Sequence, residues 1–342
     1  MPALISFQVG LEMPIAETGA ASAVFDAVLK KLAASMVMKF GGELLNSFKT
    51  VEIDFGEHLR HSFDRCSRVR TILNRDDSVE LLSLYVNLKF LKEPDLFIDD
   101  YDLLDKICDN GKFVIYGSGG GGKTIFMKYL WLSVFETRQD RIPLFVELRK
   151  FNEITSEDFS AFLFHSIIGN KSKLKLSDFE QALRGGAFVL LLDGFDEISD
   201  DRRVQVEAEI LRLSKNYENL SIVVSTRPDQ RFHGWQNFAS FKVMPLNQKQ
   251  VIDLIGKLNY NEQIKRKFIQ RIRKDLYRRH RSFLSSPLLA TMMLLTFDQF
   301  ADIPEKVYLF YDQAFETLFA KHDATKEAYK RKSYTSLSID VF

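Results

Sequence analysis

Eight residues, Gly117-Ser118-Gly119-Gly120-Gly121-Gly122-Lys123-Thr124, leave little freedom in what this chain can become. They fit the phosphate-loop pattern in full, a glycine-rich turn closed by lysine and threonine. Glycines let the backbone curl so that successive N–H groups point inward and make a concavity for anions. The bare pattern arises by chance in roughly one chain in a hundred of this length, so its surroundings decide. The apolar run Phe113-Val114-Ile115-Tyr116 precedes it, and an amphipathic stretch with Ile125, Tyr129 and Leu132 follows. A strand that feeds a loop and then a helix sets the positive end of the helix dipole against bound phosphates. Gly117 through Ile125 are therefore expected to cradle a nucleoside triphosphate. Lys123 would reach its β and γ phosphates, and the Thr124 hydroxyl would hold Mg²⁺.

The texture around the loop predicts the fold. Short apolar runs recur at Ile142 to Leu148, Phe188 to Leu192, Leu220 to Ser225 and Phe241 to Met244, each separated by a helical pattern. Most of the runs are continuous rather than alternating, as in strands covered on both faces of a parallel sheet. Residues 111–246 are thus expected to form a doubly wound α/β core. Before it, residues 1–105 read as mainly helical, with a short strand or connector at Leu84–Phe90 and an acidic linker from Asp95 to Asp105. After it, residues 247–322 read as a helical domain, with Ile264 to Arg281 thick in lysine and arginine and a last helix from about Glu305 to His322.

Two further apolar runs end in polar residues at the carboxyl edge of the sheet, where ligands sit in open α/β folds. Phe188 to Leu192 delivers Asp193, placed to hold the metal, and then Asp196 and Glu197, either of which would orient or polarise an attacking water. Leu220 to Thr226 delivers Arg227, whose guanidinium is placed either to read a γ phosphate or to pair with a neighbouring carboxylate. The Asn-Lys-x-Asp guanine reader is not matched: its nearest approach, Asn170-Lys171-Ser172-Lys173, lacks the acid. Adenine is therefore favoured, giving ATP and ADP with Mg²⁺ as the expected ligands.

Together these pieces resemble the NACHT family of STAND ATPases. Leu190-Leu191-Leu192-Asp193-Gly194-Phe195-Asp196-Glu197 has the small residue after the metal aspartate and the extra acids that mark the family. Ile142 to Arg149 resembles its second strand, and Ser225-Thr226-Arg227-Pro228 its first sensor. Phe283 to Met293 resembles the helical segment whose proline packs on adenine, which would make Pro287 that proline. Phe63 to Leu73, followed by Tyr85-Val86, resembles the segment that precedes NACHT in bacterial defence proteins, and Ile303 to Tyr311 the lead into a winged helix. The resemblance implies a slow ATPase switch that controls homo-oligomerisation in an anti-phage response, triggered by an invader-derived or protein signal. Lys123, Asp196, Glu197 and Arg227 would serve hydrolysis. Only about twenty residues follow Lys321, so 323–342 is read as the truncated start of a winged helix without the family's locking histidine.

Composition limits the other readings. With 47 basic and 46 acidic residues the net charge is +1, which argues against a nucleic-acid partner despite the basic helix. That helix is expected to be solvated or to serve an oligomer interface. Two cysteines make no disulfide framework, and no apolar stretch approaches the roughly 20 residues of a membrane span, so a cytoplasmic location is expected. The competing class is an AAA-like motor or remodeller with continuous turnover and no switch.

Overall fold

The computed structural model of the chain describes residues 25–31, 56–73, 77–92, 94–137, 141–153, 159–168 and 176–300. The expected winged-helix start at 323–342, the helix at 305–322 with His322, and the segment Ile303 to Tyr311 lie outside these residues.

Seven strands form one mixed sheet: β1 (Lys89–Lys92), β2 (Leu96–Asp99), β3 (Lys112–Tyr116), β4 (Ile142–Glu147), β5 (Phe188–Asp193), β6 (Ser221–Thr226) and β7 (Ala239–Val243). Their spatial order is β2-β1-β7-β3-β6-β5-β4. The five strands from β7 to β4 run parallel. β1 and β2 extend that sheet antiparallel. Residues of β5 and β6 are buried throughout, which is why their centres, Phe188 to Leu192 and Ile222 to Val224, are apolar without alternation.

Nine helices matter below: α1 (Gly56–Ser67), α2 (Asp100–Cys108), α3 (Lys123–Thr137), α4 (Phe159–Ile168), α5 (Leu176–Arg184), α6 (Asp200–Asn216), α7 (Gln248–Lys257), α8 (Glu262–Arg271) and α9 (Pro287–Phe300). α3 is buried on nearly all sides, and its Trp131 indole donates to the Pro143 carbonyl of β4 at 3.0 Å. Phe63 of α1 and Phe135 of α3 close an aromatic cluster around Trp131, tying the N-terminal helix to the phosphate-loop helix. α7 begins with a capping box between Asn247 and Gln250.

The structure corrects two segment readings. Residues 95–105 are not a linker but strand β2 and most of α2, so the expected boundary at 105 falls inside a helix. Ile98, Leu103 and Leu104 point inward, and the Asp100 carboxylate, fully buried, accepts from Tyr85 Oη, Asn87 Nδ2, Leu88 N and Tyr101 N at 2.7–3.3 Å. One buried acid with four donors is structural, although in sequence it looks like more polar linker. The strand or connector expected at Leu84–Phe90 is mostly connector, with the strand starting at Lys89. Leu81–Leu84 is a single helical turn, and Tyr85–Leu88 is an irregular strap. The basic stretch is also less regular than expected: α8 runs into a π turn at Ile272–Leu276 and a break at His280.

Candidate nucleotide-binding site

The loop after β3 lies at the centre of the sheet's carboxyl edge. Gly117 N donates to Thr226 O at 3.3 Å, which ties the loop to the end of β6. A Cβ on Gly117 would stand 3.2 Å from Val243 Cβ, so β7 leaves room for little more than glycine. Lys123, the first residue of α3, spans the loop by donating to Gly117 O at 2.8 Å and Ser118 O at 3.0 Å. Burial holds the Lys123 ammonium below its usual pKa, opposed by the nearby Asp196 charge. The loop, including Gly119 to Ile125, lines a cavity of about 420 Å³.

Asp193 ends β5 and is buried, with only 8% of its surface exposed. Ser225 of β6 donates its hydroxyl to Asp193 Oδ1 at 2.5 Å and accepts from Gly194 N at 2.9 Å. The Thr124 hydroxyl also hydrogen-bonds to this carboxyl, so threonine, aspartate and serine meet beside the loop. Burial pushes the Asp193 carboxyl above the usual carboxylate range, against the pull of those two hydrogen bonds. A buried charge held for function costs stability. Asp193→Asn is accordingly expected to raise the melting temperature without ligand, by about 1 kcal/mol of stability, while removing Mg²⁺-dependent nucleotide affinity. Calorimetry with and without Mg²⁺ checks both halves. A variant that melts lower yet keeps its Mg²⁺ response would contradict the assignment.

Gly194 adopts a left-handed conformation with φ 82°, and a Cβ there would meet Glu197 Cδ at 3.2 Å. This is the physical reason for the small residue after Asp193. The turn Phe195–Glu197 folds back so that Asp196 and Glu197 both line the cavity. Phe195 anchors it between Phe232 and Trp235. Asp196 accepts from Arg227 N at 3.0 Å and pairs with Arg227 Nε at 3.0 Å. Of the two expectations for Arg227, the carboxylate pair is the one seen. The guanidinium nevertheless overlies the loop, 3.9 Å from where a Gly119 Cβ would stand.

The helical segment closes the cavity from above. Ser286 Oγ contacts Gly120 O at 3.3 Å, and Leu288 N approaches the same oxygen at 3.5 Å. Pro287 Cγ lies 3.8 Å from the Cβ position of Gly122. Gly120 has φ 71°, and a Cβ on it would come within 2.9 Å of Leu288 Cβ. Gly120→Val is therefore expected to lift α9 off the loop, with a backbone strain of about 1–2 kcal/mol added to the clash. Hydrogen exchange should rise across α9 and stay constant in β5 and β6. Unchanged exchange in α9 would show that this contact does not hold the closure.

Sequence reasoning missed part of the wall. Val69 to Ile72, the strap Tyr85, Val86 and Leu88, and Leu254 and Leu258 of the α7 region line the same cavity. The only signal was the family likeness of 63–73 and 85–86, which gave no position relative to the loop. The strap is bonded to the helical segment: Gln250 Nε2 donates to Asn87 O and Lys257 Nζ to Tyr85 O, both at 2.7 Å. Tyr85 also stacks on Tyr129 of α3, with ring centroids 4.0 Å apart.

Residues 112–262, from the first residue of β3 to the first of α8, match the NACHT domain. NACHT domains are P-loop NTPases, and the matched stretch contains the phosphate loop, Asp193 and Arg227 and the five parallel strands of the sheet, while β1 and β2 lie before it. Among solved structures the chain is similar to domain III of the Thermotoga maritima replication initiation protein DnaA, at 14% identity and TM-score 0.38 over 65% of this chain and 88% of that one. It is also similar to AMPPCP-bound DnaA from Aquifex aeolicus, at 16% identity and TM-score 0.34 over 69% and 83%. C. elegans PCH-2 follows at 10% identity and TM-score 0.35 over 65% and 68%. No curated protein matches the chain. Among the described residues, no helix is long and apolar enough to cross a membrane.

Proposed function

We propose that this NACHT domain is an ATP/ADP-dependent switch that hydrolyses ATP slowly in the cytoplasm and controls self-assembly in an anti-invader response. The observation that carries the reading is the seating of Ser286, Pro287 and Leu288 directly on Gly120 and Gly122. A helical segment in contact with the phosphate loop itself must respond to what the loop holds.

In this reading the apolar wall of Val69, Val86, Leu88, Leu254 and Leu258 takes the base and sugar. The loop N–H groups and Lys123 take the phosphates, Lys123 exchanging two carbonyl contacts for phosphate oxygens. Thr124 and Asp193 offer hard oxygen donors already in contact with each other, which suits Mg²⁺. The ion would supply charge neutralisation at the phosphate oxygens. Glu197 accepts the proton of the attacking water. Asp196 is committed to Arg227 and orients it over the loop, where the guanidinium answers to the γ phosphate. Pro287 packs on the base as the segment closes.

The energies are adequate. Inverting a 1:99 population takes about 5.5 kcal/mol of differential binding. Two or three charge-assisted hydrogen bonds to a γ phosphate, at about 1.5–3 kcal/mol each, reach that figure. The deciding experiment identifies the nucleotide that co-purifies with the protein and the molecular mass of the ADP- and ATP-bound forms. At physiological ionic strength, ADP on a monomer, with a larger species after ATP exchange, is the expected result. A protein that carries no nucleotide and turns over ATP rapidly without an activator would instead be a motor.

A further inference from the structure

Exposed charges of opposite sign are segregated on two surfaces of this chain. Residues 93–105 contain five aspartates, one glutamate and no lysine or arginine. Asp100 is consumed internally, but Asp95, Asp99 and Asp102 are exposed and form no ion pair with the described residues. They flank Leu96, Phe97 and Tyr101, which are 53%, 59% and 63% exposed and make up half of the large apolar residues exposed among those described. The strand beneath them, β2, is the edge of the sheet among the described residues, pairing with β1 on one side only, and an edge strand offers backbone N–H and C=O groups to a partner.

The complementary surface is the stretch from α8 through Arg281. It holds nine basic residues against a single acid, Asp275, between 264 and 281. Arg266, Lys267, Arg273, Lys274, Arg278 and Arg281 are exposed and form no ion pair with the described residues. Lys267 lies in α8, Lys274 in the π turn that follows it, Arg278 in the short helix up to the break at His280 and Arg281 just past that break, so the exposed basic residues run the length of this segment.

We propose that the two surfaces meet between copies of this chain, the acidic aromatic edge of β2 docking on the basic face of α8 and its continuation in the next molecule. Near-neutral total charge, 47 basic against 46 acidic residues, fits a chain whose two exposed patches compensate each other on association. Leu96, Phe97 and Tyr101 supply the apolar centre and the charges the rim that fixes orientation. Because the patches differ, the contact is head-to-tail, and repetition builds a ring or a filament. The inference names the surfaces for the self-assembly proposed above, yet it does not depend on nucleotide binding.

Charge reversal tests it on the full chain, without added nucleotide, by sedimentation at low and high salt. Wild type is expected to self-associate at low salt and to weaken at least about tenfold as salt screens the rim. Asp95→Lys/Asp99→Lys/Asp102→Lys and Lys267→Glu/Lys274→Glu/Arg278→Glu should each lose association by a similar factor, with wild-type thermal unfolding. Mixing the two variants should restore complexes, because each reversed surface now meets its opposite. Should a reversal unfold the chain, Lys267→Gln/Lys274→Gln/Arg278→Gln is read in its place. A monomeric wild type at low salt, or a mixture that stays monomeric, overturns the proposal. So does loss of DNA retention in the helix variant with self-association unchanged, which would make the basic face a polyanion surface. Failure of the nucleotide reading would show instead as unchanged ATP affinity in Lys123→Ala, with these sedimentation results untouched.

Discussion

Lys123→Ala is expected to lower ATP and ADP affinity by two to four orders of magnitude. The ammonium is the single side-chain cation placed by the phosphate loop itself, and it now spans two loop carbonyls at 2.8 and 3.0 Å. Moved to phosphate, two charge-assisted bonds at about 1.5–3 kcal/mol each amount to roughly 3–6 kcal/mol. The fold should survive, since α3 is held by Trp131, Phe135 and their neighbours rather than by its first residue. Titration calorimetry with ADP and a slowly hydrolysed ATP analogue measures the loss. Wild-type affinity in a folded Lys123→Ala protein would remove the loop from the site.

Glu197→Gln is expected to cut ATP turnover by about 10²–10⁴, the usual worth of a positioned general base, with nucleotide affinity near wild type. Asp196→Asn should behave differently. Asp196 is bound to Arg227 through both the backbone N–H and Nε, and the Arg227 side chain is 68% exposed, so the pair itself contributes little to stability. Its loss should lower turnover less than Glu197→Gln does and blunt the difference in affinity between ATP and ADP. Single-turnover hydrolysis and the two affinities separate the variants. The reverse pattern, a severe loss in Asp196→Asn and a mild one in Glu197→Gln, would exchange the two roles.

The choice between these acids illustrates what was legible beforehand. Asp196 and Glu197 are adjacent in sequence and chemically alike, so spacing could not rank them. The partner that separates them, Arg227, arrives from a different strand. Arg227 itself was open between phosphate and carboxylate, and the observed pairing with Asp196 depends on β6 lying beside β5. The linker expected at 95–105 failed for a related reason. Asp100 looks like any surface acid until Tyr85, Asn87 and Leu88 converge on it, and convergence is not a local property.

The chemistry expected of the loop and the existence of the five parallel strands were legible in the sequence alone, because both are local. A glycine-rich turn needs its residues within one stretch, and a strand covered on both faces must be apolar along its length. Only the tertiary structure decided the neighbours. The order β7-β3-β6-β5-β4 inserts β6 between the loop strand and the Asp193 strand, which brings Ser225 to Asp193 and Arg227 to Asp196. It also set α9 on Gly120 and carried the strap 85–88 into the cavity wall. Pairing between strands and docking of helices depend on contacts between segments tens to hundreds of residues apart, and no periodicity within a segment records which partner it meets.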